Sequence, residues 1–213
     1  GRVTEAERLY RRVLQLAPDN PDALRLLSGI ELQSGRHSLA ETHLRRAVAN
    51  RPGNAELHWM LGAALMERGR DAAAARSAQR ALELDPYFAP ARLLLGNALH
   101  AAGDVEGAER VWREVLASDP QNAATQFNLA QLLLKSGRNG EARTLLEKAV
   151  AAQPNHAGAL GLLGQSLVVE DDKRAIGLLR RVGCAAPVRR AAPRCPGRVG
   201  LPDRRHSPTR RRH

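Results

Sequence analysis

The chain has 213 residues, 43% hydrophobic, 26% charged and only 3% aromatic, which excludes a disordered chain and a mini-protein and leaves one sizeable folded body or a linear array. Its formal net charge of +11 points to nucleic acid or an acidic membrane until the charge is located along the chain. Nine Arg against one acidic residue, Asp203, lie between Val188 and His213, so this stretch carries +8 and the preceding 187 residues only 11 − 8 = +3, which speaks against a basic groove through the folded part.

Gly1 to Tyr10 lack the apolar core of a signal peptide, and no run approaches the 18 or so apolar residues of a membrane-spanning helix. The expected compartment is the cytoplasm; the chain begins at Gly1 without an initiator Met, so a lost upstream segment could carry an export signal. The first predicted element is a lone helix from about Thr4 to Leu16, within residues 1–20. A repeat follows. Proline recurs at Pro18, Pro52, Pro86, Pro120 and Pro154, four intervals of 34 residues, and at Pro187 after 33. Alanine keeps the register at Ala6, Ala40, Ala74, Ala108, Ala142 and Ala175, and leucine at Leu27, Leu61, Leu95, Leu129 and Leu163, each Leu followed by Ser28, Gly62, Gly96, Ala130 or Gly164.

Each unit reads as two antiparallel helices. Gly35, Gly69, Gly103 and Gly137 supply the permissive backbone that ends the first helix. The proline closes the second, because it cannot donate a helical hydrogen bond. In the unit 89–122 the apolar stripes are Leu95, Ala98 and Leu99 on the first helix and Ala108, Val111, Trp112 and Val115 on the second. Gly96 and Ala108 let the two axes approach closely. Sparse aromatics with abundant Ala and Leu favour an all-α fold.

The Leu-Gly pair, the turn glycine, the register alanine, the large residue four later and the closing proline resemble the tetratricopeptide repeat. The resemblance covers residues 1 to about 187: a partial first repeat (1–20, second helix only) and five units, 21–54, 55–88, 89–122, 123–156 and 157–187. It implies an all-α solenoid, a right-handed superhelix of antiparallel helix pairs, with cohesion between neighbours and a concave surface lined by first helices. Two departures stand out. Glu31 occupies the slot of Leu65, Leu99, Leu133 and Leu167, which predicts a looser first unit. The last unit loses a residue and its turn glycine near Asp171 and Asp172; its second helix, Lys173 to Val182, is still expected to dock.

Carried over from the family, the inward positions are Arg25, Leu26 and Gly29, then Trp59, Met60 and Ala63, then Leu93, Leu94 and Asn97, then Phe127, Asn128 and Gln131, and last Gly161, Leu162 and Gln165. The candidate peptide-binding residues are Trp59, Met60, Leu93, Asn97, Phe127, Asn128 and Gln131. Asn97 and Asn128 match two asparagine slots with which some family members clamp a partner's terminal carboxylate. The cation slots hold Leu93, Gly158 and Leu162, which argues against that clamp; an amide pair still suits a peptide backbone. Trp59 and Phe127 have a competing reading as gap fillers between adjacent first helices.

No catalytic residue, cofactor or metal is expected. Cys184, Cys195, His206 and His213 are spaced 11, 11 and 7 apart and match no compact zinc pattern. The histidines of the repeats are scattered, and Glu106, Glu109 and Glu114 read as surface charges. The neutralised repeat region and a tail without aromatics give no platform for nucleic acid. The tail, 188–213, is rich in Arg and Pro and is expected to be disordered. It reads as a passive extension, such as out-of-frame translation of a GC-rich gene, ahead of a polybasic arm for nucleic acid or anionic lipid.

The resulting expectation is a non-catalytic protein–protein interaction scaffold, bacterial in style, that takes a protein or peptide ligand and no small-molecule substrate. Its uncapped ends leave self-association open. The alternative rests on Leu9-Tyr10-Arg11-Arg12 and Arg45-Arg46-Ala47-Val48, which are similar to repeat modules preceding bacterial sulfotransferase or glycosyltransferase domains. It makes the chain a substrate-recruiting module whose catalytic domain is missing.

Overall fold

The computed structural model describes residues 2–167 and 177–178. Ten α-helices and no strand are present among them: α1 (Arg2–Leu16), α2 (Pro21–Gln33), α3 (His37–Asn50), α4 (Ala55–Glu67), α5 (Asp71–Leu84), α6 (Ala89–Ala101), α7 (Val105–Ser118), α8 (Ala123–Lys135), α9 (Asn139–Ala152) and α10 (Ala157–Leu167). The docking of 173–182 (apart from 177 and 178), the disorder of 188–213 and the four tail cysteines and histidines lie outside the described residues.

Turn chemistry sets the helix ends. Gly35, Gly69, Gly103 and Gly137 all have positive φ, between 67° and 89°. In each case the amide of the third residue past the helix donates back to the third residue from its end: Arg36 to Glu31, Arg70 to Leu65, Asp104 to Leu99 and Arg138 to Leu133. This is the Schellman closure, which satisfies carbonyls the helix leaves open. The opposite ends are capped by asparagine. Asn20, Asn54 and Asn122 accept from the amides of Ala23, Leu57 and Thr125. His156 does the same through Nδ1 for Ala159. Phe88, in the same register at the start of α6, has no side-chain cap.

Packing is between neighbours in the chain, so the molecule is a solenoid of helix pairs rather than a body around one centre. Ala40, Ala74, Ala108 and Ala142 are fully buried where second helices cross first helices. A Cβ on Gly62 would lie 2.8 Å from Leu94 Cδ2, and one on Gly96 would lie 2.5 Å from Trp112 Nε1. These two glycines are the holes that admit the next helix and the indole. The buried side chains form two clusters. One runs from α2 to Val111 of α7, the other from Ala108 and Trp112 onward, and Leu99 packs against both. Leu178 packs against the second. At the other end α1 has no buried residue, and Val3, Leu9 and Leu16 are exposed.

Glu31 does not loosen its unit in the expected way. Its side chain is 1% exposed and its Oε2 lies 2.9 Å from His43 Nδ1. His43 stands in register with Ser77, Val111 and Leu145, so a polar pair here replaces contacts that are more apolar in the other units. A buried carboxylate without such a partner would cost several kcal/mol, on the order of 3 to 5.

Candidate functional site

Three first helices, α4, α6 and α8, carry the seven candidate residues. Leu93 and Asn97 on α6 sit four apart, and Gln131 on α8 lies four from Phe127 and three from Asn128, so these share a face, whereas Trp59 and Met60 on α4 are adjacent. Asn97 and Asn128 are half-buried and directly bonded: Asn128 Nδ2 donates to Asn97 Oδ1 at 3.1 Å. The same oxygen accepts from Trp112 Nε1 at 3.3 Å. An indole nitrogen can only donate, so the atom of Asn97 that faces it is the oxygen, and the atom of Asn128 that meets that oxygen is the amine. Among the described residues this leaves Asn97 Nδ2 and Asn128 Oδ1 without a partner. A donor and an acceptor thus stand side by side.

The aromatics bridge helix pairs. Trp59 meets Phe88 edge-on, with ring centroids 5.8 Å apart and planes at 83°. Phe127 lies 4.8 Å from the His156 ring and fills the space over Gly158, where a Cβ would approach its Cζ to 2.8 Å. Both rings remain half-buried. Each therefore fills a junction with one edge and keeps another for solvent or a ligand. Leu93 and Gln131 are also half-buried.

Met60 is placed differently. It is 7% exposed and belongs to the core, with its Cε facing Gly29. Leu94, one register step on, is likewise buried, against Gly62. These slots face the adjacent helix; only in α8, where Asn128 holds the same register, does a polar side chain come partly to the surface. Arg25 pairs with Glu56 of α4 at 3.1 Å and so joins adjacent first helices.

Two participants escaped the sequence reading. Trp112 is 2% exposed and pins Asn97 from beneath, through the hole at Gly96. His100 tilts against the Trp112 ring at 5.4 Å. Burial, and then the Lys135 ammonium, push its pKa below the usual histidine value. The sequence signal for Trp112 is its register: Tyr10, Leu44, Ala78 and Leu146 hold the same position; of these only Tyr10 also carries a donor, and it lies on α1, which has no first helix of its own unit among the described residues.

Outside this face, ion pairs link successive units. Glu7–Arg36 at 2.5 Å, Glu41–Arg70 at 2.5 Å and Glu109–Arg138 at 2.7 Å follow one register. Burial alone would raise the Glu41 carboxyl, but hydrogen bonds from Arg45 and Arg68 hold it below the carboxylate range. Arg113 and Arg138 do the same for Glu109. Among the described residues no group of three or more His, Cys, Asp or Glu could hold a metal ion, and no helix is long and apolar enough to cross a membrane.

A family model described as tetratricopeptide repeat matches residues 1–65 and 99–166, and a second of the same description matches 60–123. No curated protein matches the chain in sequence. Several solved structures share the fold. PilF of Pseudomonas aeruginosa is 22% identical with a TM-score of 0.74, over 85% of this chain and 84% of that one. MamA is 24% identical with a TM-score of 0.66, over 71% and 88%. YrrB, described as a TPR protein with an unusual peptide-binding site, is 24% identical with a TM-score of 0.68, over 76% and 83%.

Proposed function

Since the chain belongs to the tetratricopeptide-repeat family, we propose that it is a protein-interaction scaffold that holds a peptide segment of a partner across the first helices α4, α6 and α8. The observation that carries this reading is the bonded pair Asn97–Asn128, whose outer atoms are one free donor and one free acceptor. A peptide group needs that combination, a donor for its carbonyl and an acceptor for its N–H. Trp59 and Phe127 flank the pair with half-exposed rings, and Gln131, one register step beyond Asn97, extends the line of amides. The peptide-binding site named for YrrB is consistent with the same use of this fold.

The ligand contact is to backbone in mid-chain rather than to a terminal carboxylate. The slots where a carboxylate clamp needs cations hold Leu93, Gly158 and Leu162, and Gly158 is already occupied by Phe127. Affinity comes from apolar area on the two rings, and register from the amide pair. Met60 contributes as support for α4 rather than as a contact.

Peptides selected against the full chain and titrated calorimetrically test this. Asn128→Ala removes the acceptor and leaves Trp112 bonded to Asn97, so affinity falls about tenfold, roughly 1.4 kcal/mol, while stability drops by no more than the lost Asn128–Asn97 bond, about 0.5 to 1.5 kcal/mol. Asn97→Ala lowers affinity too but also strands the Trp112 N–H, costing about 1 to 3 kcal/mol of stability. Equal affinity for wild type and Asn128→Ala rules out the amide pair as the contact.

A further inference from the structure

The ladder of ion pairs has one gap. Where α3 and α7 carry Glu41 and Glu109, α5 carries Ala75. Where the turns before α3, α5 and α9 carry Arg36, Arg70 and Arg138, the turn before α7 carries Asp104, whose Oδ1 is engaged in capping α7 through the Gly107 amide at 2.9 Å. Both halves of the pair are thus missing at the same junction. A cavity of about 530 Å³ lies there, within the size range of small-ligand and side-chain pockets, about 300 to 1,000 Å³.

Its floor and walls are apolar: Leu95 and Leu99 from α6, Ala75 from α5 and Val111 from α7. Its rim carries Arg76 and Arg110. Both are exposed, and neither has an ion-pair or hydrogen-bond partner among the described residues. A third rim cation, Arg92, is tied to the Pro86 carbonyl, and Glu114 is the other rim acid besides Asp104. The cavity opens between two second helices. Leu95 lies two residues, roughly 200°, round α6 from Leu93 and Asn97, so this is the face opposite the amide pair.

We infer that this cavity is a second docking site, for a partner peptide that brings a carboxylate to the two unpaired rim arginines next to a leucine-sized apolar side chain. The apolar chain rests on Leu95 and Leu99, and the carboxylate lies between Arg76 and Arg110. The choice of occupant rests on charge: Arg76 and Arg110 have no partner, whereas the cations of the neighbouring junctions, Arg68, Arg70 and Arg138, are held by this chain's own Glu41 and Glu109. The site is independent of the first-helix groove.

The test is a displayed random-peptide library selected on the full chain and counterselected on Ala75→Glu, which restores the glutamate of the adjacent units. Expected are peptides that pair Asp or Glu with Leu, Ile, Met or Phe. Their affinity falls about tenfold or more with Ala75→Glu and with Arg76→Ala/Arg110→Ala, and is unchanged in Asn97→Ala/Asn128→Ala. The inference is overturned by failure of any peptide to survive the counterselection, by survivors that need no acidic residue, or by binding that follows the asparagine pair. The two arginines are exposed, so their replacement spares the fold and decides the matter alone if Ala75→Glu does not fold.

Discussion

His100 and the ladder glutamates make stability depend on pH in the same direction but in separate windows. The folded pKa of His100 is depressed, so the unfolded chain takes up the proton first. Its contribution is complete above the ordinary value of 6.5 and is lost as pH falls from there toward the folded value. Glu7, Glu41 and Glu109 are depressed from 4.5; their contribution holds above that value and disappears as pH falls through their folded values. The urea midpoint of wild type should therefore fall relative to that of His100→Gln as pH moves from about 7.5 to 5.5, whereas a constant or oppositely changing difference across that window contradicts the burial effect. Trp112 could be read from sequence as a member of the apolar stripe, and Asn97 as a polar residue on the first helix. Their bond could not, because it depends on the hole at Gly96 and on the rotamer that sends the indole through it. Met60 and Leu94 illustrate the reverse: family register places them on the inward face, but side-chain size and the small Gly29 and Gly62 opposite draw them into the core.

At the level of the helix, the glycine turns and asparagine caps divide the work. Gly69 has φ +67° and nothing within 4 Å of an added Cβ, so Gly69→Ala isolates the conformational cost of a left-handed residue, about 1 to 2 kcal/mol. Gly53 is equally uncrowded and lacks a positive φ, so Gly53→Ala should lie within roughly 0.5 kcal/mol of wild type. Equal urea midpoints for the two variants would contradict the Schellman account. The turn glycines were legible because only Gly fits there without strain, and the helix pairs because one period places several residue types at once. The caps Asn20, Asn54 and Asn122 keep the same register and were open to the same reasoning; Phe88 interrupts the series and hides it. The pairing of Glu31 with His43 was less accessible. It requires knowing that positions 12 apart on two antiparallel helices meet, which the turn geometry decides.

Across the whole molecule, cohesion runs from pair to pair through buried alanines, leucines and the ion-pair ladder, and the surface left by the first helices is available to a partner. The stacked architecture was legible from the 34-residue period, since a unit that cannot bury its own apolar face must stack on another. Differences between junctions were not. The gap at Ala75 and Asp104 and the division of the core at α7 arise from single side chains that leave the period intact. The most direct test of the central claim, that a peptide lies across the first helices, is amide hydrogen exchange of the full chain with and without a selected peptide that depends on Asn128. Added protection confined to α4, α6 and α8, with α3 and α5 unchanged, is the predicted result; protection centred on second helices, or none, contradicts it.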